Sequence, residues 1–233
     1  MKNAILASTS TLHNSGYLEY LLPTLENHFK NCKTLLFIPF AQPGGISYED
    51  YTSKVKDAFA TINIEVVGLH EFDDLTIAIK KADGIFTGGG NTFLLVSELY
   101  KHNLMSVLKE TIENGTPYLG TSAGSNLGGL TMNTTNDMPI VLPESYTTLG
   151  LIPFNINPHY LDPIVGSAHM GETRETRINE FHCLSDIPVI GLCEGSWLQI
   201  TGNNIILKGN LTARLFRKNQ KPVEIDAEFN FKT

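Results

Sequence analysis

A serine sits between two glycines in Gly120-Thr121-Ser122-Ala123-Gly124, the spacing G-x-S-x-G. A serine in that pattern occupies a sharp strand-to-helix turn with strained backbone angles, so the residues two before and two after it must be small. The turn lifts the hydroxyl above the end of a sheet, where it can act as a nucleophile. Near neutral pH a hydroxyl is almost wholly protonated and needs a base. Seven histidines are available. His159 follows Asn157-Pro158, which breaks regular structure and presents the next side chain from a loop. His169, among glycine and serine neighbours, is the alternative, whereas His28, His102 and His182 fall in amphipathic helical stretches and read as surface residues. A base needs a carboxylate to orient it. Glu194 closes the apolar run Val189–Leu192 and stands among residue types expected inside. Asp137, in a polar segment after the serine, is the other candidate.

Acyl transfer also requires N–H donors for a developing oxyanion. One is the amide after the serine, that of Ala123. Gly88-Gly89-Gly90 can supply the second from Gly89 or Gly90, since glycines let a backbone approach a ligand closely. That triplet matches neither the dinucleotide nor the P-loop spacing, so nucleotide binding is not expected. The chain order Ser122, His159, Glu194 differs from the serine, acid, histidine order of α/β-hydrolases.

These residues need a frame to hold them. Strand-like apolar runs at Ala4–Ala7, Thr34–Phe40, Ile62–Leu69 and Gly84–Thr87 alternate with helical patterns at Tyr17–Phe29, Tyr48–Ala60, Asp74–Lys81 and Thr92–Tyr100. Such alternation predicts a parallel sheet with helices on both faces. Sites in open α/β sheets lie beyond the carboxyl ends of the strands, where Gly88–Gly90 and Ser122 both fall. A charged helix over Glu172–Leu184 carries Arg174 and Arg177, and a strand over Pro188–Leu192 leads to Glu194. From Leu198 onward, Gly202-Asn203-Asn204 and Lys208-Gly209-Asn210 read as hairpin turns. Nothing repeats and no linker intervenes, so residues 1–233 are expected to form a single α/β domain.

With 42% hydrophobic and 18% charged residues, a 233-residue chain can build a full core, and disorder is not expected. A formal charge of −7 without any basic run argues against nucleic acid or an anionic membrane as partner. Three scattered cysteines suggest neither a disulfide framework nor a zinc site. The N-terminal apolar run is too short for a signal-peptide core, and no stretch has the length of a membrane span, so a cytoplasmic protein is expected.

Seven separated segments carry a family resemblance: Phe37-Ile38-Pro39-Phe40-Ala41; Gly88-Gly89-Gly90-Asn91-Thr92-Phe93; Gly120-x-Ser122-Ala123-Gly124-x-Asn126; Thr134-Thr135-Asn136-Asp137-Met138-Pro139-Ile140-Val141; Ile156-Asn157-Pro158-His159; Gly171-Glu172-Thr173-Arg174-Glu175-x-Arg177-Ile178; and Glu194-Gly195-x-Trp197. Together they make the chain resemble the peptidase E family of α-aspartyl dipeptidases over nearly its whole length. The resemblance implies a three-layer α/β sandwich with a mainly parallel central sheet. This is the glutamine-amidotransferase-like (flavodoxin-like) arrangement, with serine where relatives of that fold carry cysteine. It implies cleavage of Asp-X dipeptides with a free amino terminus, and no metal or other cofactor. It implies Ser122 as nucleophile, His159 as general base and Glu194 as third member, with Asp137 a substrate or structural residue. Thr121 and Ser125 depart from the family, which often has an aromatic residue and alanine there.

The chemistry of such a substrate suggests partners. Its β-carboxylate asks for an arginine fork, Arg174 first and Arg177 second, and its ammonium asks for an acid, Asp137. A small peptide is then the expected partner of a monomer or homodimer. A cyanophycinase-like hydrolase and a non-catalytic binding protein of the same fold are the alternatives.

Overall fold

The computed structural model describes residues 1–162 and 171–231. In chain order the strands are β1 (Asn3–Ala7), β2 (Thr34–Ile38), β3 (Glu65–Gly68), β4 (Gly84–Thr87), β5 (Tyr118–Thr121), β6 (Asn155–Pro158), β7 (Val189–Leu192), β8 (Trp197–Thr201), β9 (Asn204–Lys208), β10 (Ala213–Phe216) and β11 (Val223–Ile225). The α-helices are α1 (Leu22–His28), α2 (Tyr48–Ala60), α3 (Leu75–Lys81), α4 (Thr92–Lys101), α5 (Met105–Glu113), α6 (Ala123–Asn126) and α7 (Arg174–Leu184).

The apolar runs pair as a seven-stranded sheet in the order β3-β2-β4-β5-β1-β8-β9. The first five of these strands are parallel; β8 then pairs antiparallel with β1, and β9 antiparallel with β8. β4 and β5 are buried at every residue, which is why Gly84–Thr87 reads as a continuous run rather than an alternation. Leu25 of α1 and Tyr51, Val55 and Phe59 of α2 pack over one face. Ala78 and Ile79 of α3, Leu95 and Leu99 of α4, and Leu108 and Ile112 of α5 pack over the other. Three layers result, each helix contributing an apolar stripe to one face of the sheet. Side-chain caps start several helices: Ser47 accepts from Asp50 N–H, Asp74 from Ile77 N–H and Asn91 from Leu94 N–H.

A second sheet, four-stranded in the order β11-β10-β7-β6, pairs β6 with β7 in parallel and the others antiparallel. Its Ile156, Ile190, Leu192 and Leu215 join the same core cluster as α4 and α5.

Three local expectations need correction. The helix expected over Tyr17–Phe29 begins only at Leu22, because Leu18 takes φ 59° and the chain turns before Pro23. This leaves Tyr17 and Tyr20 on a turn. The pattern omitted α5 altogether. Lys208-Gly209-Asn210 is not a hairpin turn, for β9 lies in the large sheet and β10 in the small one. Gly209 takes φ 106° and passes against the Gly195 carbonyl, where no side chain fits.

Candidate active site

Ser122 follows β5 with φ 53° and ψ −111°, a conformation costly for any residue with a Cβ. Its surroundings hold it there. Ser122 N–H donates to the Ala7 carbonyl at 3.1 Å, fastening the turn to the end of β1. A Cβ on Gly120 would meet the Gly124 carbonyl, and one on Gly124 would meet the Thr87 carbonyl. Both glycines are therefore required by close backbone approach, at the positions the motif assigns them. The helix after the serine is a single four-residue turn. Ser125 is buried and its Oγ donates to the Ser122 carbonyl at 2.7 Å, while Thr121 is also fully buried. Both residues flanking the Ser122–Gly124 core are thus buried.

His159 follows β6 and also has a positive φ, 53°. Its Nε2 lies 2.9 Å from Ser122 Oγ and its Nδ1 lies 2.6 Å from Glu194 Oε1. With Nδ1–H donating to the carboxylate, the Nε2 lone pair faces the serine hydroxyl. Glu194 follows β7, but its side chain is 47% exposed, so the apolar enclosure expected around it is absent. Proximity to His159 sets its part in the site, whereas burial does not. Among the other histidines, His182 is buried and bonds the Ile187 carbonyl, and His28 bonds the Tyr118 carbonyl, so neither is the surface residue expected. His169 lies outside the described residues.

One residue that the motif search passed over joins these parts. Ser8, fully buried at the end of β1, accepts His159 N–H at 2.8 Å and donates its hydroxyl to the Leu192 carbonyl at 2.7 Å. Its own N–H donates to the Ser196 carbonyl at 3.1 Å. Ala7 and Ser8 therefore tie down the backbones that carry Ser122 and His159 and those either side of Glu194. The signal available beforehand was position, because Ser8 lies at a strand carboxyl end just as Ser122 does.

Gly89 lies against the serine, since a Cβ on it would stand 3.1 Å from Ser122 Cβ, and Gly90 lines the same cleft. Gly89 N–H, however, donates to Tyr51 Oη at 3.0 Å, and the Gly89 carbonyl accepts from Gln42 Nε2 at 2.9 Å. That N–H is committed, which removes Gly89 as an oxyanion donor in this conformation. Gly90 and Ala123 N–H have no acceptor among the described residues. Gly90 takes φ 141° with its Cα against the Ala41 carbonyl, so only glycine fits.

A cleft of about 290 Å³ opens over Ser122 and His159. Thr9, Ser10, Tyr17, Gln42, Tyr51 and Lys54 line it, together with Gly89 and Gly90. Asp137 and Arg174 are not among its lining residues. Asp137 Oδ2 accepts from Thr92 N–H at 2.7 Å and from Thr135 Oγ1 at 3.0 Å, anchoring its segment to the start of α4. Arg174 opens α7 half-buried. Burial lowers its pKa first and the Arg177 charge lowers it further, while the Asp137 charge opposes both, without an ion pair between Arg174 and Asp137. Arg177 is exposed and pairs with Glu172 at 3.5 Å. Among the described residues no three His, Cys, Asp or Glu side chains are grouped to hold a metal ion, and no helix is long and apolar enough to cross a membrane.

A serine on a strained strand–helix turn, joined through histidine to glutamate at the carboxyl edge of a parallel sheet, defines a serine hydrolase on an α/β scaffold. Residues 4–208 match the model of peptidase family S51, and the chain belongs to that family. It is 47% identical over 223 residues to a peptidase E of Streptomyces coelicolor, covering 96% of this chain and 90% of that protein. It is 45% identical over 219 residues to a "Probable alpha-aspartyl dipeptidase" of Drosophila melanogaster, covering 93% and 90%. The crystal structure of a peptidase from an acI-B1 actinobacterium superposes with a TM-score of 0.72 at 15% identity, covering 100% of this chain and 97% of that one, and shows the same fold.

Proposed function

We propose that this peptidase hydrolyses Asp-X dipeptides bearing a free amino terminus, through an acyl-enzyme on Ser122. The observation that carries this is the bridging of His159, 2.9 Å from Ser122 Oγ and 2.6 Å from Glu194 Oε1. His159 removes the serine proton as Oγ attacks the aspartyl carbonyl, and Glu194 stabilises the imidazolium that forms. Gly90 and Ala123 N–H groups hold the tetrahedral oxyanion, with Gly89 fixed behind them by Tyr51. The imidazolium then protonates the departing amine, and water attacks the ester with His159 again as base.

Substrate class rests on relatives and on charge. A relative at 45% identity carries α-aspartyl dipeptidase in its name. Arg174, half-buried and in no ion pair with a carboxylate among the described residues, is the candidate for the aspartyl β-carboxylate. Asp137 is foremost a brace for α4, and its Oδ1, without a partner among the described residues, is left for the substrate ammonium.

The test is a panel of Asp-Leu, Asn-Leu, Glu-Leu and N-acetyl-Asp-Leu. Rapid cleavage of Asp-Leu is expected, with the neutral and acetylated analogues at least about a hundredfold slower, since each leaves a charged group of the site unpaired. Equal turnover of Asn-Leu, or none of Asp-Leu, would sink the proposal.

A further inference from the structure

Lys54 lies on α2 one turn after Tyr51, so the two side chains share a helix face. Tyr51 is fixed on Gly89 beside the serine, and Lys54 lines the same cleft as Ser122 and His159. Lys54 Nζ stands 4.7 Å from the centroid of the Tyr17 ring, a cation–π contact that holds the ammonium without neutralising it. Four other lysines have carboxylate partners, Lys56 with Glu71, Lys101 with Glu98, Lys208 with Glu228 and Lys218 with Asp186; what sets Lys54 apart is its place in the cleft. Lys54 pairs with no carboxylate among the described residues, and it is the one permanently charged side chain among those lining the cleft. An uncompensated cation facing a cleft in a chain of charge −7 is placed to receive an anion.

We infer that Lys54 binds the terminal carboxylate of the leaving residue and thereby restricts the enzyme to dipeptides; this rests on the proposed Asp-X reading. An Asp-X dipeptide carries two carboxylates, one on each side of the scissile bond. Two cations in no ion pair with a carboxylate among the described residues are at hand: Lys54, which lines the cleft, and Arg174, proposed above for the aspartyl side, which does not. Lys54 is on α2, which packs over one face, whereas Asp137, whose charge acts on Arg174, is bonded to the start of α4, which packs over the other. With Arg174 taking the aspartyl side, the leaving side falls to Lys54. A longer peptide or an amide presents an uncharged group there and forgoes the charge-assisted bond.

The test compares kcat/KM for Asp-Leu and Asp-Leu-amide in the wild type and in Lys54→Met, which keeps the length of the stem and removes the charge. The wild type is expected to prefer the free acid by about tenfold or more, and the preference is expected to fall to about one in the variant. Lys54→Arg is expected to keep it. An unchanged ratio overturns the assignment, and because it is a ratio, a general loss of folded enzyme does not move it. Calorimetric binding of Asp-Leu in a Ser122→Ala background separates this inference from the reading it rests on. Binding there should weaken about tenfold when Lys54→Met is added. Unweakened binding refutes the role of Lys54, whereas intact binding without wild-type turnover refutes the peptidase mechanism.

Discussion

Replacing Ser8 by alanine tests whether the end of β1 positions the catalytic base. Ser8 Oγ, on a fully buried residue, accepts His159 N–H at 2.8 Å and donates to the Leu192 carbonyl at 2.7 Å. The Leu192 carbonyl keeps a second donor, Tyr160 N–H at 3.1 Å, so its loss is small. His159 N–H has no substitute. An orphaned buried donor costs about 1–3 kcal/mol, and the hydrogen bond itself contributes about 1 kcal/mol net, so roughly 2–4 kcal/mol of stability should be lost. The effect on rate has a different origin. His159 is held at φ 53°, which a non-glycine residue keeps only while its surroundings insist on it. Without Ser8 the backbone can relax, and the imidazole moves against a serine whose own position is tied separately to Ala7. A misplacement of about 1 Å costs about a hundredfold in rate. Steady-state kinetics on Asp-Leu should therefore show kcat down about a hundredfold with KM little changed, beside a lowered urea midpoint. A variant that loses the expected stability yet keeps kcat within about twofold would refute the reasoning, because the tie would then be structural alone.

Other outcomes follow from the same geometry. Ser122→Ala should lower kcat on Asp-Leu by several orders of magnitude while calorimetry still detects binding; near-normal turnover would remove Ser122 as nucleophile. Gly124→Ala places a methyl against the Thr87 carbonyl and should cost about 3 kcal/mol or more, seen as a large drop in thermal midpoint. Burial lowers the pKa of His28 from 6.5 to about 4, opposed by its bond to the Tyr118 carbonyl. The unfolded chain then binds the extra proton first, so stability is full above about pH 6.5 and falls as the pH drops toward 4, by about 2 kcal/mol at pH 5. His28→Gln should flatten that stretch of the urea-midpoint profile, and an unchanged slope would contradict it.

Ser122 was legible in the sequence because its requirement is local. Two glycines at fixed offsets answer to contacts within a few residues and to the Thr87 carbonyl on the neighbouring strand. The parallel sheet was legible for a similar reason, since strands buried on both faces are largely apolar, as β4 and β5 are up to their terminal threonines. His159 and Glu194 could be named from chain order and resemblance, but their meeting is a property of the second sheet, in which β6 and β7 lie side by side.

Tertiary structure alone decided the rest. Ser8 and His159 are 151 residues apart, and no local pattern announces a hydroxyl bonded to so distant an amide. Gly89 looked like an oxyanion donor until Tyr51, 38 residues away, took its N–H. Lys54 falls within the helical pattern over Tyr48–Ala60 with nothing to single it out, and only the turn that replaces the first part of the expected α1 brings Tyr17 beneath it. The division has a physical cause. Steric and burial requirements are written into neighbouring residues, whereas a hydrogen bond or ion pair depends on where folding brings its second partner.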